Sequence, residues 1–268
     1  TGKTRFYNIP IPHQGIISVT PDESRQLAYI STCSDERPIE STHFLVLNLA
    51  NGSYRKLLDC RHMYAFIVVD YRGRAYHPVL GGQIARYDPT TKKLDLLTQT
   101  VDGKPPTQQS RLAHPESHPI NWEVSPDRKT LYAVAMSHNA LYKYDLTGTG
   151  KTLAAARIGP LVAGATKTDC RALCVSPNGT VWAGVAATDS SGNQQLRIIS
   201  YRPGDTATHD HGPIAISNPN YTSFKDQEGK PLSHQHGVHR PDPDGPLVPR
   251  YVVMAICAPT PDRVYATT

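Results

Sequence analysis

The sequence predicts an all-β fold, a β-propeller of four-stranded antiparallel blades, and three observations predict it. A strand, a Pro-Asp or Pro-Asn turn and a second strand recur about every fifty residues. Each copy is followed by a third alternating run and a weaker fourth. Apolar residues almost nowhere repeat at helical spacing.

The first copy is Ile17-Ser-Val-Thr-Pro-Asp-Glu-Ser-Arg-Gln-Leu-Ala-Tyr-Ile-Ser31, and Phe44-Leu-Val-Leu-Asn48 supplies its third strand. The second is degenerate, Val68-Val-Asp-Tyr-Arg-Gly-Arg-Ala-Tyr-His77, followed by Ile84-Ala-Arg-Tyr87 and a fourth strand Lys93-Leu-Asp-Leu-Leu97. The third runs from Glu123 to Ser137 and continues into Leu141-Tyr-Lys-Tyr144, and the fourth runs from Cys174 to Ala187 and continues into Leu196-Arg-Ile-Ile-Ser-Tyr201. Ile256-Cys-Ala-Pro-Thr-Pro-Asp-Arg-Val-Tyr-Ala-Thr267 is a fifth, partial copy. Blades are therefore expected over 11–60, 61–105, 115–165 and 168–215, with a long insertion at 209–249 before a partial blade at 250–268. All belong to one propeller domain, 1–268, expected to be truncated at both ends and an incomplete part of a seven-bladed ring; a five-bladed ring with a depleted last blade is the alternative. The first strand of each blade is expected to be covered on both faces.

Composition narrows the class. The chain has 268 residues, of which 38% are hydrophobic and 19% charged, with 19 Gly and 23 Pro, so a disordered polyelectrolyte, a coiled coil and a collagen-like rod are excluded. No stretch of eighteen apolar residues stands in the sequence, and no membrane partner is expected. The formal net charge of +5, to which twelve histidines add on acidification, favours an anionic partner. Basic residues are scattered without aromatic interleaving, which argues against nucleic acid. Five cysteines without a C-x-x-C pair read as small buried thiols, with a Cys33–Cys60 bridge as the alternative. A monomer is expected, and the compartment is left open.

In a propeller, residues just before the first strand of a blade and just after its second meet at one rim, where loops on a rigid scaffold carry function. His13, His62 and His118 precede first strands, and His77 and His138 follow second strands. His234, His236 and His239 lie in the long insertion, while His43, His114, His209 and His211 fall elsewhere. Eight imidazoles on one rim, with Arg171 near them, make a polar site capable of accepting, donating or binding metal at neutral pH. Ser233-His-Gln-His-Gly-Val-His-Arg240 is the sharpest local signal. In an extended segment His234 and His236 share a side, and Gly237 lets the chain bring His239 round, a three-nitrogen set suited to zinc or manganese. Direct substrate binding by these residues is the competing reading. His62 and His77 flank the strands of the second blade, beside Tyr64 and Tyr76, as His118 and His138 flank those of the third. No G-x-S-x-G elbow, Gly-rich phosphate loop or H-E-x-x-H helix is present.

The repeat, the twenty-residue spacing of His118 and His138, and the Ser233–Arg240 segment together resemble the seven-bladed propeller polysaccharide lyases: ulvan lyases, rhamnose-glucuronate lyases and, more loosely, oligogalacturonate lyases. A tyrosine followed some sixteen positions later by an arginine, which those families use, has no counterpart here. The resemblance implies β-elimination beside a uronic acid in an acidic polysaccharide or oligosaccharide. That chemistry needs a countercharge for the carboxylate, a base for the adjacent proton and an acid for the departing oxygen. On this reading His118 and His138 are the acid/base pair, and His62, His77, Arg171, Tyr64 and Tyr76 contact substrate. His234, His236 and His239 hold a divalent metal, and a secreted or periplasmic location is expected. A non-catalytic propeller binding protein or glycan through its His-rich face, and a metal-assisted lactonase or small-molecule lyase, are the alternatives.

Overall fold

Aspartate and asparagine at the repeated turns explain why the chain reverses where it does. Asp70 Oδ1 accepts from the Arg72 amide at 2.9 Å, Asp127 Oδ1 from the Lys129 amide at 3.1 Å and Asn178 Oδ1 from the Thr180 amide at 3.1 Å. Each short side chain thus replaces the next backbone partner and closes a tight turn. The turns after third strands work in the same way, through Asn48, Asp88 and Asp145.

The computed structural model describes residues 4–34, 41–60, 66–79, 81–107, 110, 121–135, 138–215, 227–229, 238–239, 248–249 and 253–267. Among them there is no α-helix, and no helix long and apolar enough to cross a membrane. The first sheet is an antiparallel meander of β1 (Gly15–Asp22), β2 (Leu27–Cys33), β3 (Thr42–Asn48) and β4 (Tyr54–Cys60). The second set is β5 (Val68–Val69), β6 (Ala75–Val79), β7 (Gln83–Asp88) and β8 (Lys93–Val101). The third is β9 (Asn121–Val124), β10 (Thr130–Val134), β11 (Leu141–Asp145) and β12 (Thr152–Gly159). The fourth is again an antiparallel meander, of β13 (Lys167–Val175), β14 (Val181–Thr188), β15 (Gln194–Tyr201) and β16 (His209–Pro213). Two hairpins follow, β17 (Val238–His239) with β18 (Val248–Pro249) and β19 (Ala255–Thr260) with β20 (Arg263–Thr267). These four-stranded meanders are propeller blades.

Two compact units divide the chain. One comprises residues 1–120, 127–131 and 144–155, the other 121–126, 132–143 and 156–268. In the first, Tyr29, Phe44, Val46, Val69, Ala85 and Tyr87 pack β2 and β3 against the second set. In the second, Val134, Leu141, Val181, Val185, Ile199 and Tyr201 form the largest part of the core. Burying such side chains is the main favourable term holding the sheets face to face.

Two features differ from the sequence-based expectation. In the first blade the most buried strands are the second and third, not the first: β2 is buried over all but its first residue, whereas Ile16 and Val19 of β1 are 56% and 54% exposed; in the second blade β5 is buried at both residues, as expected. A strand with a neighbour on one side only has less to cover it. The second and third blades are also not separate sheets, because β8 pairs in parallel with β12 from Thr98↔Thr152 to Val101↔Ala155. Both are last strands with an unpaired row of N–H and C=O groups, and joining them satisfies both rows. Among the described residues all five cysteines are thiols, so Cys33 and Cys60 are not bridged. Burial pushes the Cys60 thiol up to about 12, and its Sγ donates to the Thr42 carbonyl.

Candidate functional site

Of the residues singled out in the sequence, His62, Tyr64, His118, His234 and His236 lie outside the described residues. His239 is described only through its backbone, on β17 opposite Val248. Among the described residues no three His, Cys, Asp or Glu side chains are grouped to hold a metal ion.

Tyr76 and His77 are consecutive on β6 and face opposite ways, both into the core of the first unit. Tyr76 donates to Asp70 Oδ2 at 2.9 Å; the same oxygen accepts from Arg74 Nε at 2.6 Å. The Arg74 guanidinium is satisfied by the Leu146 and Gly148 carbonyls at 2.7 and 3.1 Å. Burial, reinforced by the Asp70 charge, raises the Tyr76 hydroxyl far above its ordinary range. His77 is fully buried, stacked on Phe44 at 5.1 Å, with Nε2 3.1 Å from Ser31 Oγ. Its burial lowers the imidazole to about 4, so it is neutral at pH 7. The strand runs on through Pro78 to Val79, which puts His77 inside the sheet and not after it.

Arg171 occupies the irregularity of β13 where the register with β14 shifts between Cys170 and Ala172. Its guanidinium forks onto Asp169, with Nε–Oδ1 at 3.1 Å and Nη2–Oδ2 at 2.9 Å. His138 sits in the turn after β10 and is half-buried. Its Nδ1 is buried with no hydrogen-bond partner among the described residues. Burial, then the Arg157 charge, hold the imidazole below its ordinary range, which leaves it neutral and basic at pH 7.

The neighbour of His138 leads to a cleft. Asn139 clamps Val162 on both sides, Nδ2 donating to its carbonyl at 2.6 Å and Oδ1 accepting from its amide at 3.0 Å. Val162 lies in the link between β12 and β13, which meets the turn between β14 and β15: the Thr166 amide donates to the Thr188 carbonyl at 2.8 Å. These segments line an open cleft with Asp189, Asn193, Gln195, Arg197 and Asp210 on its polar side. Arg197 spans that wall, donating through Nε to Asp210 Oδ2 at 2.8 Å and through Nη1 to Gln195 Oε1 at 2.9 Å. Asp189 Oδ1 fixes the turn by accepting from the amides of Ser191 and Asn193. Planar amide, carboxylate and guanidinium groups held this way can donate to and accept from the hydroxyls of a polar ligand.

This cleft lies where a segment before a first strand meets the turn after a second, the rim the sequence frame selects. Its polar residues were not selected, because none is a histidine and their spacing follows no motif. His209 and His211 lie on β16, with His211 against Ser200 and Trp182. His209-Asp-His211 has the same H-x-H spacing as His234-Gln-His236, and that signal was legible.

No protein-family model and no curated protein matches this sequence. Similar solved structures exist at low identity. A periplasmic gluconolactonase from Pseudomonas aeruginosa matches with TM-score 0.47 and 16% identity, over 75% of this chain and 57% of that one. An auxiliary nutrient binding protein from Bacteroides thetaiotaomicron matches with TM-score 0.45 and 14% identity, over 73% and 46%. A putative 6-phosphogluconolactonase from Bacteroides uniformis matches with TM-score 0.39 and 15% identity, over 93% and 88%. The chain thus spans little more than half the length of the gluconolactonase. None of the three is named as a polysaccharide lyase.

Proposed function

We propose that this chain is a carbohydrate-active protein that takes an acidic saccharide at the rim of its third and fourth blades and cleaves it by β-elimination. The observation that carries the reading is His138, an imidazole kept neutral by burial and by the nearby Arg157 charge, one residue from the Asn139 clamp on the cleft. Elimination needs that combination: a neutral base for the proton beside the carboxylate, and a cation to hold the negative charge that develops as the proton leaves. His138 takes the proton, its electron pair becomes the new carbon–carbon double bond, the glycosidic C–O bond breaks, and His118 gives a proton to the departing oxygen. Arg197, Gln195 and Asp210 orient the neighbouring sugar. The formal charge of +5 favours a polyanionic substrate over a neutral one. His234, His236 and His239 as ligands for zinc or manganese belong to the same reading; a bound ion would add Lewis-acid neutralisation of the carboxylate.

The test is absorbance at 235 nm during incubation with glucuronate- and galacturonate-containing polymers, with and without added zinc or manganese. The expected result is a rise that His138→Ala reduces by about 100-fold or more. No rise on any uronate polymer overturns the lyase. Opening of a small lactone without that rise would move the assignment to a lactonase, and saturable glycan binding without turnover would leave a binding protein.

A further inference from the structure

A second recess, open to solvent, lies on the fourth blade. Strand register builds it. Trp182 pairs with Ser200 across β14 and β15, and Ser200 pairs with His209 across β15 and β16, so the three share one face of the sheet. His211 is two residues beyond His209 and shares that face. Its Nε2 lies 2.8 Å from Ser200 Oγ. The His211 ring stacks on Trp182 with centroids 5.2 Å apart and meets His209 edge-on at 4.4 Å. Ser200 is 7% exposed, whereas both histidines are exposed. Arg202 and Asp205 line the remaining wall, and Trp182 Nε1 is buried with no hydrogen-bond partner among the described residues.

We propose that Ser200 and His211 act as nucleophile and general base in hydrolysing a short-chain carboxylic ester of a hydroxylated alcohol. Three properties of the recess carry the inference. The Oγ–Nε2 distance is that of a serine poised to pass its proton to imidazole. Burial, then the neighbouring His209 and Arg202, lower His211 despite the opposing Asp210, so the imidazole is neutral at pH 7 and in its Nδ1–H tautomer Nε2 accepts from Ser200. Cross-strand pairing on both sides of Ser200 fixes its backbone, so that only χ1 remains for the hydrogen bond to His211 to set. In the first step the Oγ–H proton moves to His211 Nε2, Oγ bonds to the ester carbonyl carbon, and the C=O pair moves onto oxygen. Collapse expels the alcohol oxygen, which takes the proton from His211 and leaves acyl-Ser200. Water then repeats the sequence: His211 accepts its proton, hydroxide attacks, and Ser200 leaves reprotonated with a carboxylic acid released. Arg202 supplies positive charge toward the carbonyl oxygen, and the Trp182 N–H is an unused donor beside the nucleophile. The near-burial of Ser200 admits a short acyl group, and the polar wall faces the alcohol.

The test treats the intact chain with a fluorophosphonate serine probe and with p-nitrophenyl acetate. Expected are stoichiometric labelling that peptide mass spectrometry places on Ser200, and acetate release falling about 100-fold in both Ser200→Ala and His211→Gln. p-Nitrophenyl octanoate should be turned over far more slowly than the acetate. An unlabelled Ser200 in folded protein, or a Ser200→Ala chain that releases nitrophenol like the wild type, overturns the proposal; equal thermal melting of the variants shows that folding is not the cause. Ester release with no rise at 235 nm would support this site and sink the lyase, and the reverse result would do the opposite.

Discussion

Among the described residues two serine–histidine pairs have nearly the same geometry and opposite character. In the first unit Ser31 Oγ and His77 Nε2 are 3.1 Å apart, both residues are fully buried, and the imidazole stacks on Phe44. In the second unit Ser200 Oγ and His211 Nε2 are 2.8 Å apart, with the imidazole stacked on Trp182 and open to solvent. Burial is the largest cause lowering both histidines. The difference is access: a hydrogen bond between a hydroxyl and an imidazole is a structural clamp when sealed and a reactive pair when a substrate carbon can reach the oxygen. Distance alone does not separate the two roles.

The largest expected effect comes from breaking the sealed pair. His77→Ala removes a buried ring from the Phe44 stack and leaves Ser31 without its partner, at a cost of about 3 kcal/mol. His211→Ala, at an exposed position, should cost about 0.5 kcal/mol or less. Urea unfolding of the two variants checks this, and equal costs would remove the contrast.

Acidification sharpens the same comparison. His77 has a folded value of about 4 against an ordinary 6.5, so between those values the unfolded chain binds the extra proton and stability rises with pH. Its contribution is fully present above about pH 6.5 and is lost progressively down to about pH 4, a span worth about 3 kcal/mol. The wild-type stability curve minus that of His77→Gln should slope over this window and be flat above it. A flat difference throughout would mean that water reaches His77 in the folded state.

The two pairs also show what the sequence could and could not disclose. Asp and Asn at the repeated turns were legible because their side chains act locally, two residues along the chain. His77 reads as a rim residue because the degenerate second copy of the repeat ends at it, and Pro78 follows. β6 tolerates that proline because β5 pairs only with Ala75 and Tyr76, leaving Pro78 no partner on that side whose bond a missing N–H would lose. Ser200 and His211 became neighbours through the register of β15 with β16, which shifts between Arg197 and Ile199. No local pattern encodes that shift. The cleft wall was equally hidden: Arg197, Gln195 and Asp210 converge through cross-strand geometry and share no motif.

Arg197 offers the smallest effect and the finest distinction. It bridges β15 to β16 through Asp210, the residue between His209 and His211, but on the opposite face from Ser200. A lysine there lacks the planar fork that reaches Asp210 and Gln195 from two separate nitrogens. Arg197→Lys should lower stability by about 1 kcal/mol or less, because the pair is partly exposed. If ladder register alone positions Ser200 against His211, p-nitrophenyl acetate release in this variant should fall less than about threefold. The apparent affinity for acidic saccharide at the cleft should weaken by more than the esterase rate does. A fall in ester release as large as that of His211→Gln would show that the arginine clamp sets the pair, making the two faces of β15 and β16 one coupled device.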